Sequence, residues 1–333
     1  MGTLRLGVVG VGRMGQRHCR VYDNMRKIHL AGIHDTDAGL GSQIAQQYEV
    51  PFFSNFEAML SEVDAISIAT PTKVHFEVAK LAIERGVHIL IEKPVTENLE
   101  QALAIVEMVE HKDIIVQVGH IERFNPAYIE LKNVIDSLSP IAINFYRLSP
   151  YKGSNKDVDV ILDLMIHDTN LVYDLCGKEP YQINANGVMV YSSLIDHAQA
   201  NISYDQGPLV SISASRVTEH KVRLIEVIAR EAYVRCDLLN KNISIRRSTV
   251  GEYLNNSKPG VKYHQESIVE WINVPAIEPL VLQQQHFVDC ITEGKTPLVT
   301  ARDGYNAMKL AVNIRNLVQQ NIIELNSDKV LLS

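Results

Sequence analysis

The chain has 333 residues, of which 46% are hydrophobic, and a formal net charge of -7. That length allows two domains, since a single core rarely grows past about 250–300 residues. With no long basic block and no apolar run near the ~18 residues of a membrane span, the composition argues against nucleic acid and bilayer partners.

Leu4 to Val9 reads as a short buried strand, followed at once by Gly10-Val11-Gly12-Arg13-Met14-Gly15 and a segment free of proline and glycine through about Tyr22. A G-x-G-x-x-G between strand and helix is the dinucleotide-binding arrangement. The first glycine permits the turn, the second lets backbone approach a pyrophosphate, and the third allows helix to pack on strand. The helix start supplies amides and positive dipole to the phosphates, so cofactor contacts are expected from Gly10, Gly12, Arg13, Met14 and Gly15. The next strand, His29 onward, ends in Asp35, twenty positions after Gly15. A carboxylate there meets an adenosine ribose 2′-hydroxyl, and Asp35-Thr36-Asp37 has no base to pair a 2′-phosphate. The predicted cofactor is NAD rather than NADP.

Strand and helix keep alternating. Ser54-Asn55-Phe56-Glu57 reads as a capping box, and Ala65 to Ala69 as a strand leading into Thr70-Pro71. A helix from Thr72 to Arg85 stops at Gly86. Val87 to Glu92, a helix from about Asn98 to Glu110, and a strand from Ile114 to Val118 complete the series. This is the pattern of an α/β, doubly wound parallel sheet of Rossmann type, assigned to residues 1–120. The apolar run Ile89-Leu90-Ile91 breaks off in Glu92-Lys93-Pro94, two opposite charges and a proline at a strand's carboxyl end. Open α/β sheets bind ligands along that edge, where Thr70, Glu92-Lys93 and Gly119-His120 all fall.

Beyond Phe124-Asn125-Pro126 the pattern changes. A helix from about Ala127 to Leu138 precedes period-two alternation at Ile141–Tyr146. Further strands are predicted at Ile183–Val190, Ala198–Tyr204, Val210–Ser215, Val222–Ala229, Ala232–Cys236, Ile243–Arg246 and Ile268–Val274. Together they describe an α+β domain, residues 121–333, on a large open and mainly antiparallel sheet. Helices are expected on one face, with Ile212, Ile225 and Val227 on the other, a face suited to homo-oligomers. Residues 255–260 are the most loop-like stretch.

The strongest helical segment of this half, Val158 to Cys176, carries Asp163, His167 and Asp168. Positions 163 and 167 share a helical face. Either His167 is held by an i,i+4 hydrogen bond, or it is a general base beside a carboxylate, removing a hydroxyl proton as hydride leaves the same carbon. The scattered cysteines (Cys19, Cys176, Cys236, Cys290) form no CxxC pair, which fits reduced thiols in a cytoplasmic protein with no metal site. The N-terminus lacks a signal-peptide layout.

Five segments together resemble the glucose-fructose oxidoreductase/inositol dehydrogenase/MocA family of NAD(P)-dependent sugar dehydrogenases. They are Gly10 to Gly15, Ala69-Thr-Pro-Thr-x-x-His75, Gly86 to Pro94, Asp163-Leu-Met-Ile-His167-Asp168, and Ala301 to Met308. The resemblance implies a Rossmann domain plus an α/β domain whose sheet mediates dimers or tetramers. It implies catalysis by Lys93, Asp163 and His167: a polarising lysine, an orienting aspartate and a general base. It also implies nicotinamide contacts from Thr70, His75 and Glu92. Gly119 to Pro126 and Arg147-Leu-Ser-Pro150 resemble the branch acting on nucleotide-linked sugars. Oxidation of the 3-hydroxyl of UDP-N-acetylglucosamine is the expected reaction. Arg123 and Arg147 are candidates for a diphosphate, Arg123 equally for a structural ion pair. The other readings are a free-polyol or aldose dehydrogenase and a non-catalytic NAD-bound nucleotide-sugar sensor.

Overall fold

A computed structural model describes residues 3–151, 158–191, 193–254 and 261–324. The loop-like stretch 255–260 lies outside them. By packing, the chain forms two compact units, Met1–Phe124 with Ile277–Leu310, and Asn125–Ala276 with Ala311–Ser333.

In the first unit β1 (Leu4–Val9), α1 (Arg13–Asp23), β2 (Ile28–His34), α2 (Ala38–Gln47), α3 (Phe56–Leu60), β3 (Ala65–Ile68), α4 (His75–Glu84), β4 (His88–Glu92), α5 (Leu99–Val109) and β5 (Val116–Gly119) follow one another. The five strands pair in parallel in the order β2-β1-β3-β4-β5. The order reverses beside β1, so the loops after β1 and β3 flank the crevice such a sheet opens for a ligand. Leu6, Val8, Ile33 and Leu90 are buried in the sheet, as continuous apolar strands require. Tyr22 of α1 packs on them, its hydroxyl 2.7 Å from the Ser67 hydroxyl. The cap of α3 is Asn55, whose side chain accepts from the Ala58 amide at 3.1 Å. The predicted Ser54–Glu57 box is therefore displaced by one residue, because asparagine caps as well as serine. Helix α2 carries few apolar residues and has no strong sequence signal; Asp37 caps it, accepting from Leu40 N at 3.0 Å.

In the second unit α6 (Pro126–Ile135), β6 (Pro140–Leu148), α7 (Ile166–Cys176), β7 (Gln182–Met189), β8 (His197–Ser203), β9 (Leu209–Ser215), β10 (Val222–Ala229), β11 (Tyr233–Asp237), β12 (Asn242–Leu254) and β13 (Val261–Ile272) build the second sheet. Helices α8 (Pro279–Glu293) and α9 (Ala301–Gln320) and the short β14 (Ile322–Glu324) complete the described chain. The nine strands run β13-β12-β11-β10-β6-β9-β8-β7-β14, antiparallel except for the β6–β9 and β7–β14 pairs. Ile212, Ile225 and Val227 are all buried, so they belong to the covered face. Their expected place on the open face is corrected by one register position. That face carries Asn144, Tyr146, Ser211, Ser213, Leu224 and Glu226 instead, each partly exposed.

Residues 277–310 follow the second sheet in sequence but pack with the first unit. Val118 N donates to Val299 O at 3.0 Å, and the Gln117 side chain donates to Gln283 O at 2.9 Å. No local pattern in the sequence marks that return. Among the described residues no helix is long and apolar enough to cross a membrane.

Candidate active site

The glycine loop leaves β1 with Gly10 at φ +82°, a left-handed conformation that favours glycine. A Cβ on Gly15 would stand 1.8 Å from Gly10 O, so α1 can approach the loop only without a side chain there. A Cβ on Gly12 would meet nothing within 4 Å, leaving open space in front of the loop. Gly12 caps α1 without a side-chain bond, and the first turn holds no acid. The first amides of α1 thus face that space with no competing anion, as a pyrophosphate requires. Asp35 stands directly after β2. Its Oδ1 accepts from Asp37 N at 2.8 Å and its Oδ2 from Val11 N at 2.7 Å. The carboxylate is therefore pre-aimed beside the loop, where a ribose would lie. Cradle and acid both fit NAD.

At the exit of β3 the Thr70 hydroxyl is buried and has no hydrogen-bond partner among the described residues. At the exit of β4, Glu92 Oε1 lies 3.1 Å from Nε2 of His18, a wholly buried residue of α1. Glycine at 119 leaves room for Glu92, since a Cβ there would crowd its carboxylate at 3.1 Å. Lys93 follows, half-buried, and the Lys93–Pro94 peptide is cis. His75 is 1% exposed, its ring nitrogens each 2.9 Å from a backbone carbonyl, those of Thr70 and Pro94. His120, after β5, is also buried, and neither ring nitrogen has a partner among the described residues. Burial, with the positive charges of Lys93 and Arg123 nearby, pushes the His120 imidazole down to about 3. It is neutral at physiological pH. Arg123 is 6% exposed and donates to Leu298 O at 3.1 Å.

The second unit holds Asp163 and His167. The chain enters α7 through a π-turn, Ile161–Met165, which carries Asp163. Such wide turns concentrate at functional positions. The spacing of four between Asp163 and His167 thus runs from a π-turn into an α-helix instead of along one regular helix. Both side chains are half-buried, while Met165, Ile166 and Asp168 to Asn170 are buried. Three buried acids fix this segment. Asp159 Oδ1 accepts from the Ile161 and Leu162 amides, both at 3.0 Å, and Oδ2 meets Arg315 Nε at 2.8 Å. Asp196 receives the Val190 and Tyr191 amides and pairs with Arg216, which also donates to Val158 O at 2.8 Å. Asp168, next to His167, takes the guanidinium of Arg147 on both oxygens at 2.7–2.9 Å, each side chain 3% exposed. Bidentate geometry and burial assign Arg147 to Asp168 and not to a phosphate.

Lys93 therefore lies in the first unit, and Asp163 and His167 in the second. The sequence reading missed His18, Asp159, Asp196 and Arg216. A buried histidine on an amphipathic helix has no spacing signature, and the two buried acids find their arginines only through the fold.

Comparison with known proteins agrees with this architecture. Residues 4–120 match the profile of the oxidoreductase family with an NAD-binding Rossmann fold. The chain is 32% identical over 316 residues to UDP-N-acetylglucosamine 3-dehydrogenase of Acidithiobacillus ferrooxidans, covering 95% of this chain and 97% of that one. The solved structure of that protein superposes with a TM-score of 0.86, covering 96% and 99% of the two chains. The NAD(+)-dependent scyllo-inositol 2-dehydrogenase of Bacillus subtilis is 27% identical over 94% of this chain and 93% of its own. An apo scyllo-inositol dehydrogenase from Lactobacillus casei shares the fold, with a TM-score of 0.79 at 20% identity over 96% and 97% of the chains. This chain belongs to that oxidoreductase family. It is an NAD-dependent enzyme.

Proposed function

We propose that the protein oxidises a secondary hydroxyl of a nucleotide-linked sugar, the 3-hydroxyl of UDP-N-acetylglucosamine, to a ketone. The observation that carries this reading is the likeness to UDP-N-acetylglucosamine 3-dehydrogenase along nearly the whole of both chains. The intact Lys93, Asp163 and His167 support it. NAD, held by the glycine loop and Asp35, would supply the hydride acceptor for the reacting carbon. His167 takes the proton of the hydroxyl on that carbon, so the alcohol loses one hydride and one proton. Lys93 donates to the same oxygen and stabilises the negative charge that develops on it. Asp163 orients the sugar by accepting from a neighbouring hydroxyl. The Arg147–Asp168 pair holds the start of α7, and with it the aim of His167. The partly polar open face of the second sheet serves as the homo-oligomer contact in this reading.

The resemblance to scyllo-inositol 2-dehydrogenase supports a second reading, a free-polyol dehydrogenase. The two are separated by following nicotinamide absorbance with NAD and UDP-N-acetylglucosamine, myo-inositol, scyllo-inositol or glucose. Turnover of the nucleotide sugar alone is the expected result. Turnover of an inositol with none of the UDP-sugar overturns the first reading.

A further inference from the structure

We propose that His75 is a positioning residue for Lys93, a clamp tying the turn after β4 to the turn after β3, and not a contact to the nicotinamide. One ring spans two strand exits: its Nε2 lies 2.9 Å from Thr70 O and its Nδ1 2.9 Å from Pro94 O. At 1% exposure neither edge of the ring faces solvent, and both nitrogens are engaged with backbone. Pro94 directly follows Lys93. On the other side of Lys93, Glu92 is held by Nε2 of His18 at 3.1 Å. The lysine thus sits between two residues that are each gripped by a buried histidine, one from α1 and one from the start of α4.

Both partners of His75 are carbonyl oxygens, which only accept. A neutral imidazole donates to one of them; donating to both takes the imidazolium. Burial pushes the His75 pKa down, while the two carbonyls and the charge of Glu92 oppose that shift. The imidazolium bonds both turns, while the neutral ring bonds one and holds its other nitrogen against the second carbonyl. A side chain without donors at position 75 leaves both carbonyls buried and unbonded and frees the lysine's turn.

The inference rests on the reading of Lys93 as the group that polarises the substrate hydroxyl. Its test therefore has one arm that needs no substrate. Full-length wild type, His75→Leu, His75→Asn and His75→Gln are labelled with acetic anhydride without NAD, and the rate at Lys93 is read by mass spectrometry against the other lysines. The clamp predicts a relative rate at Lys93 raised about threefold or more in His75→Leu, because local opening exposes the amine. His75→Gln, whose single amide nitrogen can take the place of Nε2, keeps the bond to Thr70 O and shows a smaller rise. His75→Asn, whose shorter amide reaches one carbonyl, falls between and stands in where the leucine variant does not fold. In the second arm kcat falls about tenfold while the Kd for NAD changes by less than about twofold, the split of a positioning role. Unchanged labelling of Lys93 in folded His75→Leu and His75→Asn overturns the clamp. A roughly tenfold weaker Kd for NAD with unchanged labelling restores the nicotinamide contact. If the wild type turns over no nucleotide sugar, the functional reading falls and the labelling still decides the clamp.

Discussion

Oδ2 of Asp35 accepts a hydrogen bond from the Val11 amide at 2.7 Å, so the acid after β2 is tied to the glycine loop after β1. The two halves of the dinucleotide fingerprint thus touch in the fold through residues 24 positions apart. Asp35→Ala removes both the ribose acceptor and the tether on the loop. The Kd for NAD should rise about tenfold or more, the equivalent of losing one good hydrogen bond to a charged group. Fluorescence titration with NAD and NADP checks this, and the variant should lose the wild type's preference for NAD. An unchanged Kd contradicts the assignment.

Arg147 and Asp168 form a buried ion pair, and breaking one half leaves the other charge without compensation. Arg147→Met should cost about 3–5 kcal/mol in a urea unfolding curve. Combining it with Asp168→Leu should recover most of that loss, because two apolar groups replace two charges. If Arg147 bound a diphosphate instead, Arg147→Met would raise KM for the nucleotide sugar and leave stability nearly intact.

His120 should give stability a distinct acid limb. Unfolded histidine titrates near about 6.5, and burial with Lys93 and Arg123 pushes the folded group down to about 3. Below the unfolded value the denatured chain binds a proton that the native chain refuses. The contribution is therefore complete above about pH 6.5 and drains away as pH falls through the window toward the folded value. Between about pH 6.5 and 5 it amounts to roughly 1–2 kcal/mol. His120→Gln should flatten the stability–pH curve by that amount, measured by urea unfolding at the two pH values. An identical slope in wild type and variant rejects the shift.

Removal of the base should separate chemistry from cofactor binding. His167→Ala is expected to lower kcat by about 10²–10⁴-fold, the usual worth of a positioned general base, with the Kd for NAD unchanged. Equal turnover in wild type and variant would return His167 to the plain reading of a histidine held on its helix.

The first sheet was legible in the sequence because parallel strands buried on both faces are continuous apolar runs. Val8, Ile68, Leu90 and Val118 each precede a loop that carries chemistry. Helix α2 was not legible, because Ala38 to Gln47 shows little apolar periodicity and Asp37, read only as a neighbour of Asp35, turned out to be its cap. In the second sheet the strands were found but the faces inverted. Alternation gives period and not sign, so Ile225 and Val227 could be placed on one face together without the sequence saying which face was covered. Lys93, Asp163 and His167 stood out as candidates by residue type and position. Their supports did not, because His18 meets Glu92 across 74 positions and Arg216 meets Asp196 across 20. Arg147 misled for the same reason: an arginine at a strand end looks like a phosphate ligand until the helix that carries Asp168 is packed on it.

In the proposed reaction hydride leaves C3 of the sugar of UDP-N-acetylglucosamine. A single turnover of the enzyme with NAD and UDP-N-acetylglucosamine deuterated at C3, with mass spectrometry of the nicotinamide and of the sugar, tests it most directly, because it needs no release or recycling of cofactor. Deuterium is expected in the reduced nicotinamide, with a 3-keto UDP-sugar lacking it. Reduced cofactor without deuterium, or no reduction with this substrate while an inositol reduces NAD, would contradict it.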